Sequence, residues 1–245
     1  MSDKEKNLSI LGHFGELRKR LIRSVVILII LIIAAFFFWE QLFEILKYPI
    51  PEGVTLQAVK VTETFSTSMK ISLYSGIIAG IPYFTWELLM FVSPALTPRE
   101  KKYIYIILPW IALMFAGGVV FAYFILIPNI TNFLMGWGSN LVNIQPMLSD
   151  YINLVTRLLL VSGLIFELPV LTTFLSRIGI ISPGWLASKW RVAIIISFIL
   201  AAIITPTPDP LNQSLVAGAL VFLYFLSLVL SKLVAPKKHA EKTAD

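Results

Sequence analysis

Six stretches of this chain are apolar at almost every position instead of along one helical stripe: 22–39, 71–92, 103–133, 151–175, 192–204 and 215–230. A helix of a soluble domain buries one face and keeps the other polar. A segment greasy all round needs an apolar solvent, and a bilayer accepts it as a helix because the backbone pairs internally. The pattern predicts an all-α, polytopic membrane protein with six transmembrane helices. The fifth stretch is short, about 20 Å as a helix against a bilayer core of about 30 Å. Local thinning accommodates it; a re-entrant pair formed by the last two stretches is the alternative.

The polar segments between them carry their own patterns. In 9–21, Leu11, Phe14, Leu17 and Leu21 recur at three- and four-residue spacings, which predicts an amphipathic helix lying along the membrane surface before turning into the first span. Glu16 and Arg20 are four apart on its polar side, and as a solvated pair they contribute only a few tenths of a kcal/mol. Segment 40–69 holds Pro49, Pro51 and Gly53 and reads as an ordered cap, with helix or strand open at 59–65. A second such segment, 129–150, is rich in Gly and Asn, and Phe133 and Trp137 suit an interface. Pro109, Pro128 and Gly117–Gly118 allow the long third span to bend, and Gly76 and Gly80 suit close helix packing. Three regions result: an amphipathic N-terminal region at 1–21, a six-helix membrane domain at 22–231 and a basic tail at 232–245.

Composition agrees. Charged residues make up 14% of the chain, against about 25% in an average soluble domain. The first span lacks a small-residue cleavage site and reads as retained, not as a leader. With no cysteine, disulfides and thiolate chemistry are excluded. Basic residues decide the orientation. With six spans, sixteen of the 20 Lys and Arg fall on one side, leaving Lys47, Lys60, Lys70 and Arg157 on the other. The positive-inside rule then puts both termini in the cytoplasm.

Enzyme chemistry finds little support. His13 and His239 are the two imidazoles, and no Gly-rich phosphate loop, metal-binding spacing or nucleophile triad occurs. No catalytic residue, metal, cofactor or nucleic-acid partner is expected. The informative groups are carboxylates, because an acid within a span is costly unless sheltered. Glu167 sits deep in the fourth span, with Pro169 freeing the carbonyl of Ile165. It is either a polar clamp between helices or a contact for a substrate or partner. Glu87, near the inner end of the second span, is close enough to the surface to reach water. Asp209, in a Pro-rich outer turn, suits the cap of a helix beginning near Leu211. Pro98 and Glu100 fit the first turn of a helix after an inner loop.

Four separated motifs carry a resemblance: His13-Phe-Gly-Glu16-Leu-Arg18-Lys-Arg20-Leu21, Phe91-Val-Ser-Pro94-Ala-Leu96 followed by Glu100, Phe166-Glu167-Leu-Pro169, and Thr205-Pro-Thr-Pro-Asp209. In this order the chain resembles the TatC family, the polytopic subunit of the twin-arginine protein translocase. Phe14-Gly15 departs from the Leu-x pair common in the first motif. The resemblance implies six helices in a concave, glove-like bundle in the inner membrane. It implies a receptor for twin-arginine signal peptides of folded cargo, working with single-span TatA- and TatB-like partners, self-associating, and driven by the proton motive force. Signal binding would fall to Glu16 and Glu100, with Arg18, Pro94 and Leu96 beside them. Glu167 and Pro169 would act within the membrane, and Asp209 in the outer turn. An ion-coupled solute transporter using Glu167 and Glu87, or a membrane scaffold, are the rival readings.

Overall fold

The computed structural model describes residues 3–51, 53–92, 98–138, 141, 144–205 and 209–235, with side chains described from 15 to 91 and from 107 onward within those ranges. Every regular element among them is helical. Helix α1 (Asp3–Phe37) is followed by a short α2 (Trp39–Lys47) and the long α3 (Glu63–Val92). Next come α4 (Pro98–Phe121), a π-helical stretch (Ala122–Leu126) and α5 (Ile127–Gly136). The chain ends in α6 (Leu148–Phe166), α7 (Leu168–Arg177), α8 (Pro183–Ser188), α9 (Trp190–Ile204) and α10 (Pro210–Val234).

Two differences from the sequence pattern have local causes, and one expected opening of a helix is present. The amphipathic segment does not turn before the first span: α1 runs as a single helix of 35 residues, since no Gly or Pro interrupts the run from Glu16 to Phe37. The third span extends to Gly136, beyond the expected end at Phe133. Pro128 has no N–H to give, and the wider π turn just before it, where Ile127 N–H bonds to Ala122 O, lets the helix pass the proline without stopping. The fourth span breaks at Glu167, because Pro169 leaves the Ile165 carbonyl without its helical donor. The Glu167 N–H instead reaches Leu164 O at 3.2 Å, and helix resumes as Leu171 N–H bonds Glu167 O at 3.0 Å.

Close helix crossings rest on glycine. A Cβ on Gly76 would meet the Ile32 backbone N at 2.9 Å, so α1 lies against α3 at a distance no larger residue permits. A Cβ on Gly118 would lie 2.6 Å from Ser162 O and 2.9 Å from Gly163 Cα, which fixes α4 on α6. The main core forms where these helices meet the π stretch: Ile71, Leu126, Ile127, Ile130, Ile152, Val155 and Leu158 are all enclosed. α7 and α9 pack on α10. At the C-terminal end of α7, Gly179, with φ +77°, closes the helix. Its N–H reaches Ser176 O and that of Ile180 reaches Leu175 O, a Schellman closure that needs a left-handed residue.

Among the described residues, four helical stretches are long and apolar enough to cross a membrane: Gly15–Phe37, Ile107–Gly136, Leu148–Arg177 and Pro210–Val234. Leu21, Ile22, Val25, Ile29 and Ile33 on α1, and Val192, Ile195, Ile199 and Ile203 on α9, are exposed. These are the side chains a lipid phase would cover.

Candidate functional site

The expected acids fall at three levels of the molecule. Near the middle of α1, Arg20 bonds Glu16 through Nε (3.1 Å) and Nη2 (2.6 Å), both to Oε1. Its third nitrogen, Nη1, donates to Oε2 of Glu87 at 2.6 Å. The other oxygen of Glu87 accepts from Arg23 Nη1 at 3.1 Å and from the Tyr83 hydroxyl at 2.5 Å. Two sequence expectations change here. Glu87 does not reach out to water: it is 5% exposed and held by two guanidiniums from α1. The Glu16–Arg20 pair is not an isolated surface pair but the outer part of a network spanning α1 and α3. α1 presents Arg18 exposed, two residues and about half a turn from Glu16, which is half-buried. Pro94 and Leu96 lie outside the described residues; Glu100 lies in the first turn of α4, with its side chain outside them.

Within the membrane region, Glu167 stands at the junction of α6 and α7 with 2% exposure. Neither carboxylate oxygen has a hydrogen-bond partner among the described residues. Phe166 fixes this corner: its ring lies 5.5 Å from that of Phe121, and its Cβ packs on Gly118. A buried acid without a partner is destabilising, so this corner keeps a polar group that packing does not use. Pro169 is buried at the start of α7. Farther along α7, Val170, Thr173 and Arg177 help line an apolar cavity of about 340 Å³ shared with Trp110, Met114 and Leu230. Arg177 Nη1 donates to Val234 O at 2.8 Å, and Ser176 meets Ser231 at 3.0 Å, joining the C-terminal ends of α7 and α10.

At the start of α10, Asp209 caps the helix, accepting from Asn212 N–H at 2.9 Å and Asn212 Nδ2 at 2.7 Å. This is the capping role its position suggested. One acid escaped the sequence reading. Glu63, 5% exposed, accepts three backbone N–H groups: Val59 (2.8 Å), Lys60 (3.2 Å) and Ser149 (3.0 Å). The Ser149 amide, then those of Lys60 and Val59, hold its carboxyl below the usual carboxylate range. Glu63 thereby ties the start of α3 to the first turn of α6, beside a backbone bridge in which Gln57 N–H meets Pro146 O and Leu148 N–H meets Gln57 O. Its segment was left open between helix and strand, and its partner lies 86 residues away.

Residues 12–218 match the family model described as Sec-independent protein translocase protein (TatC). The chain belongs to the TatC family. It is similar to the Sec-independent protein translocase protein TatC of Carboxydothermus hydrogenoformans, with 35% identity over 96% of this chain and 98% of that one. It is also similar to the chloroplastic TATC of Pisum sativum, with 32% identity over 90% of this chain and 63% of that one. A crystal structure titled twin arginine translocase receptor TatC superposes with TM-score 0.78 at 36% identity, covering 91% of this chain and 99% of that one. A second, in DDM, gives 0.79 at 37% identity, covering 89% and 99%. As a TatC-family chain, this is a helical, multi-pass membrane protein.

Proposed function

We propose that this chain is the receptor subunit of a Sec-independent translocase, which takes the twin-arginine signal of a folded cargo at its inner face and passes it to an assembly with TatA- and TatB-like single-span partners. TatC-family membership over almost the whole chain supports the protein-transport role in the inner membrane, and the proton motive force supplies the energy. The observation that carries the site is Glu16. Its carboxylate sits at the inner end of the first span with Oε1 engaged by Arg20, while Oε2 takes no bond among the described residues. An open carboxylate oxygen is what an incoming guanidinium needs for a charge-assisted hydrogen bond. Glu100 supplies the second carboxylate, and Arg18, Pro94 and Leu96 are the further candidates for contact with the signal.

Six crossings fit the helices: α1, α3, α4 continued into α5, α6 continued into α7, α9 and α10. α3, with 30 residues, is long enough, though its Ser, Gly, Tyr and Glu residues lower its hydropathy. α9, with 15 residues, spans about 22 Å and favours a thinned bilayer on that side. The basic residues then put both termini in the cytoplasm, and a concave arrangement places Glu167 on the inner wall of the bundle. There, with Pro169 holding the helix open, Glu167 meets the signal's apolar segment or a partner helix once the assembly rearranges. The solute-transporter reading loses a coupling group, because Glu87 is already neutralised by Arg20 and Arg23.

Binding of a fluorescent twin-arginine peptide to the reconstituted protein tests this. Glu16→Ala and Glu100→Ala each weaken binding, and the double variant abolishes it. Unchanged affinity in all three removes the recognition assignment. Glu167→Ala lowers export more than peptide affinity; full export activity in that variant would remove its role.

A further inference from the structure

We propose that Arg20 is a resident stand-in for one arginine of the signal, and that Glu87 is the positioning residue that retains Arg20 when the signal displaces it from Glu16. The proposal rests on Glu16 being a recognition carboxylate. It arises from how a single guanidinium divides its donors: Nε and Nη2 go to Glu16, Nη1 goes to Glu87. Arg20 therefore already occupies Oε1, one of the two oxygens that a ligand's guanidinium fork would bridge, and leaves only Oε2 open for the first contact.

Burial decides which of its two bonds yields. Side-chain exposure rises from 6% at Glu87 through 18% at Arg20 to 34% at Glu16. Attraction between opposite charges strengthens as water is excluded, while an exposed pair is screened and exchanges readily. The Arg20–Glu87 bond is thus the fixed end and the Arg20–Glu16 bond the exchangeable one. When Nε and Nη2 are displaced, the guanidinium keeps its buried counter-charge. Glu87 does not follow it outward, since Tyr83 and Arg23 hold its other oxygen.

The same arrangement selects among ligands. To displace Arg20, a ligand has to replace two N–H donors arriving at one carboxylate. An arginine offers that fork. A lysine offers a compact, strongly hydrated ammonium and replaces it poorly. The resident arginine raises the threshold for every cation on Glu16, and raises it more for lysine than for arginine. Preference for the arginine pair is then set partly by an internal competitor, not only by the carboxylates that make the final contact.

The test uses the full-length chain in nanodiscs, with a twin-arginine signal peptide and its twin-lysine counterpart titrated against wild type, Glu16→Ala, Arg20→Gln and Glu87→Gln. Arg20→Gln strengthens twin-lysine binding more than twin-arginine binding, and the affinity ratio between the peptides falls about fivefold or more. Glu87→Gln leaves Arg20 with Glu16 as its one carboxylate and weakens twin-arginine binding about threefold or more, less at high salt. A purely structural role for Arg20 moves both peptides together and leaves the ratio unchanged, which overturns the proposal. If Glu87→Gln does not fold, Arg20→Gln alone decides. Should Glu16→Ala bind like wild type, the recognition assignment falls and takes this proposal with it. Should Glu16→Ala lose binding while Arg20→Gln keeps the wild-type ratio, only the stand-in role is lost.

Discussion

Gly117 and Gly118 are adjacent on α4, yet one alanine substitution should be tolerated and the other should not. A Cβ on Gly117 has its nearest neighbour, Phe166 Cδ1, at 3.9 Å, an ordinary contact. A Cβ on Gly118 would lie 2.6 Å from Ser162 O and 2.9 Å from Gly163 Cα. Both are backbone atoms, so no rotamer change relieves the clash. The two helices have to separate by about 0.8 Å to recover the 3.4 Å at which ordinary contact begins. Gly→Ala in a helix gains about 1 kcal/mol of intrinsic propensity, and that gain is common to both variants, so it cancels in their difference. What remains is the overpacking cost at a helix crossing, about 1–3 kcal/mol. Because the displaced strip of α6 includes Phe166, the shift also moves the corner that holds Glu167. Thermal unfolding of the detergent-solubilised variants, followed by size-exclusion chromatography, should rank Gly118→Ala below Gly117→Ala by several degrees. Equal midpoints would mean that α4 and α6 are not in backbone contact, and that this crossing does not fix the position of Glu167.

Two further outcomes follow from Asp209 and Glu63. Asp209→Ala leaves the first turn of α10 without its side-chain acceptor and should cost about 1 kcal/mol, while Asp209→Asn keeps most of the cap; hydrogen exchange at the Asn212 amide distinguishes them. Glu63 contributes stability that is present above the ordinary carboxylate range and lost as the pH falls through its lowered folded value. Acidifying the solution below that range should therefore lower the wild-type unfolding midpoint toward that of Glu63→Gln, and a constant gap between the two at all pH values would refute the role of its three amide bonds.

Features decided by neighbours in the sequence were legible; those decided by distant partners were not. The break at Pro169, the helix start at Pro98 and the cap at Asp209 follow from local backbone chemistry, and each sits where the residues predicted. Gly76 and Gly118 were readable as packing positions, though not which helix they meet. Glu87 was misplaced because its charge is neutralised by side chains 64 and 67 positions earlier, and periodicity says nothing about which two helices lie side by side. Glu63 was missed for the same reason. The continuous α1 was legible in principle, because nothing between Glu16 and Phe37 stops a helix. The change from an amphipathic to a uniformly apolar pattern was taken for a change of direction when it marks only a change of surroundings.

The central claim is that this chain receives a paired-arginine signal at the inner end of the first span before any deep insertion. Site-specific photo-cross-linking with a probe at Leu17, beside Glu16, and another at Leu168, beside Glu167, measures it most directly. A twin-arginine precursor should cross-link from Leu17 in membranes without an energising gradient, and from Leu168 only once the gradient and the small partners are supplied. A precursor that reaches Leu168 without ever labelling Leu17, or a twin-lysine precursor that labels Leu17 equally well, would contradict it.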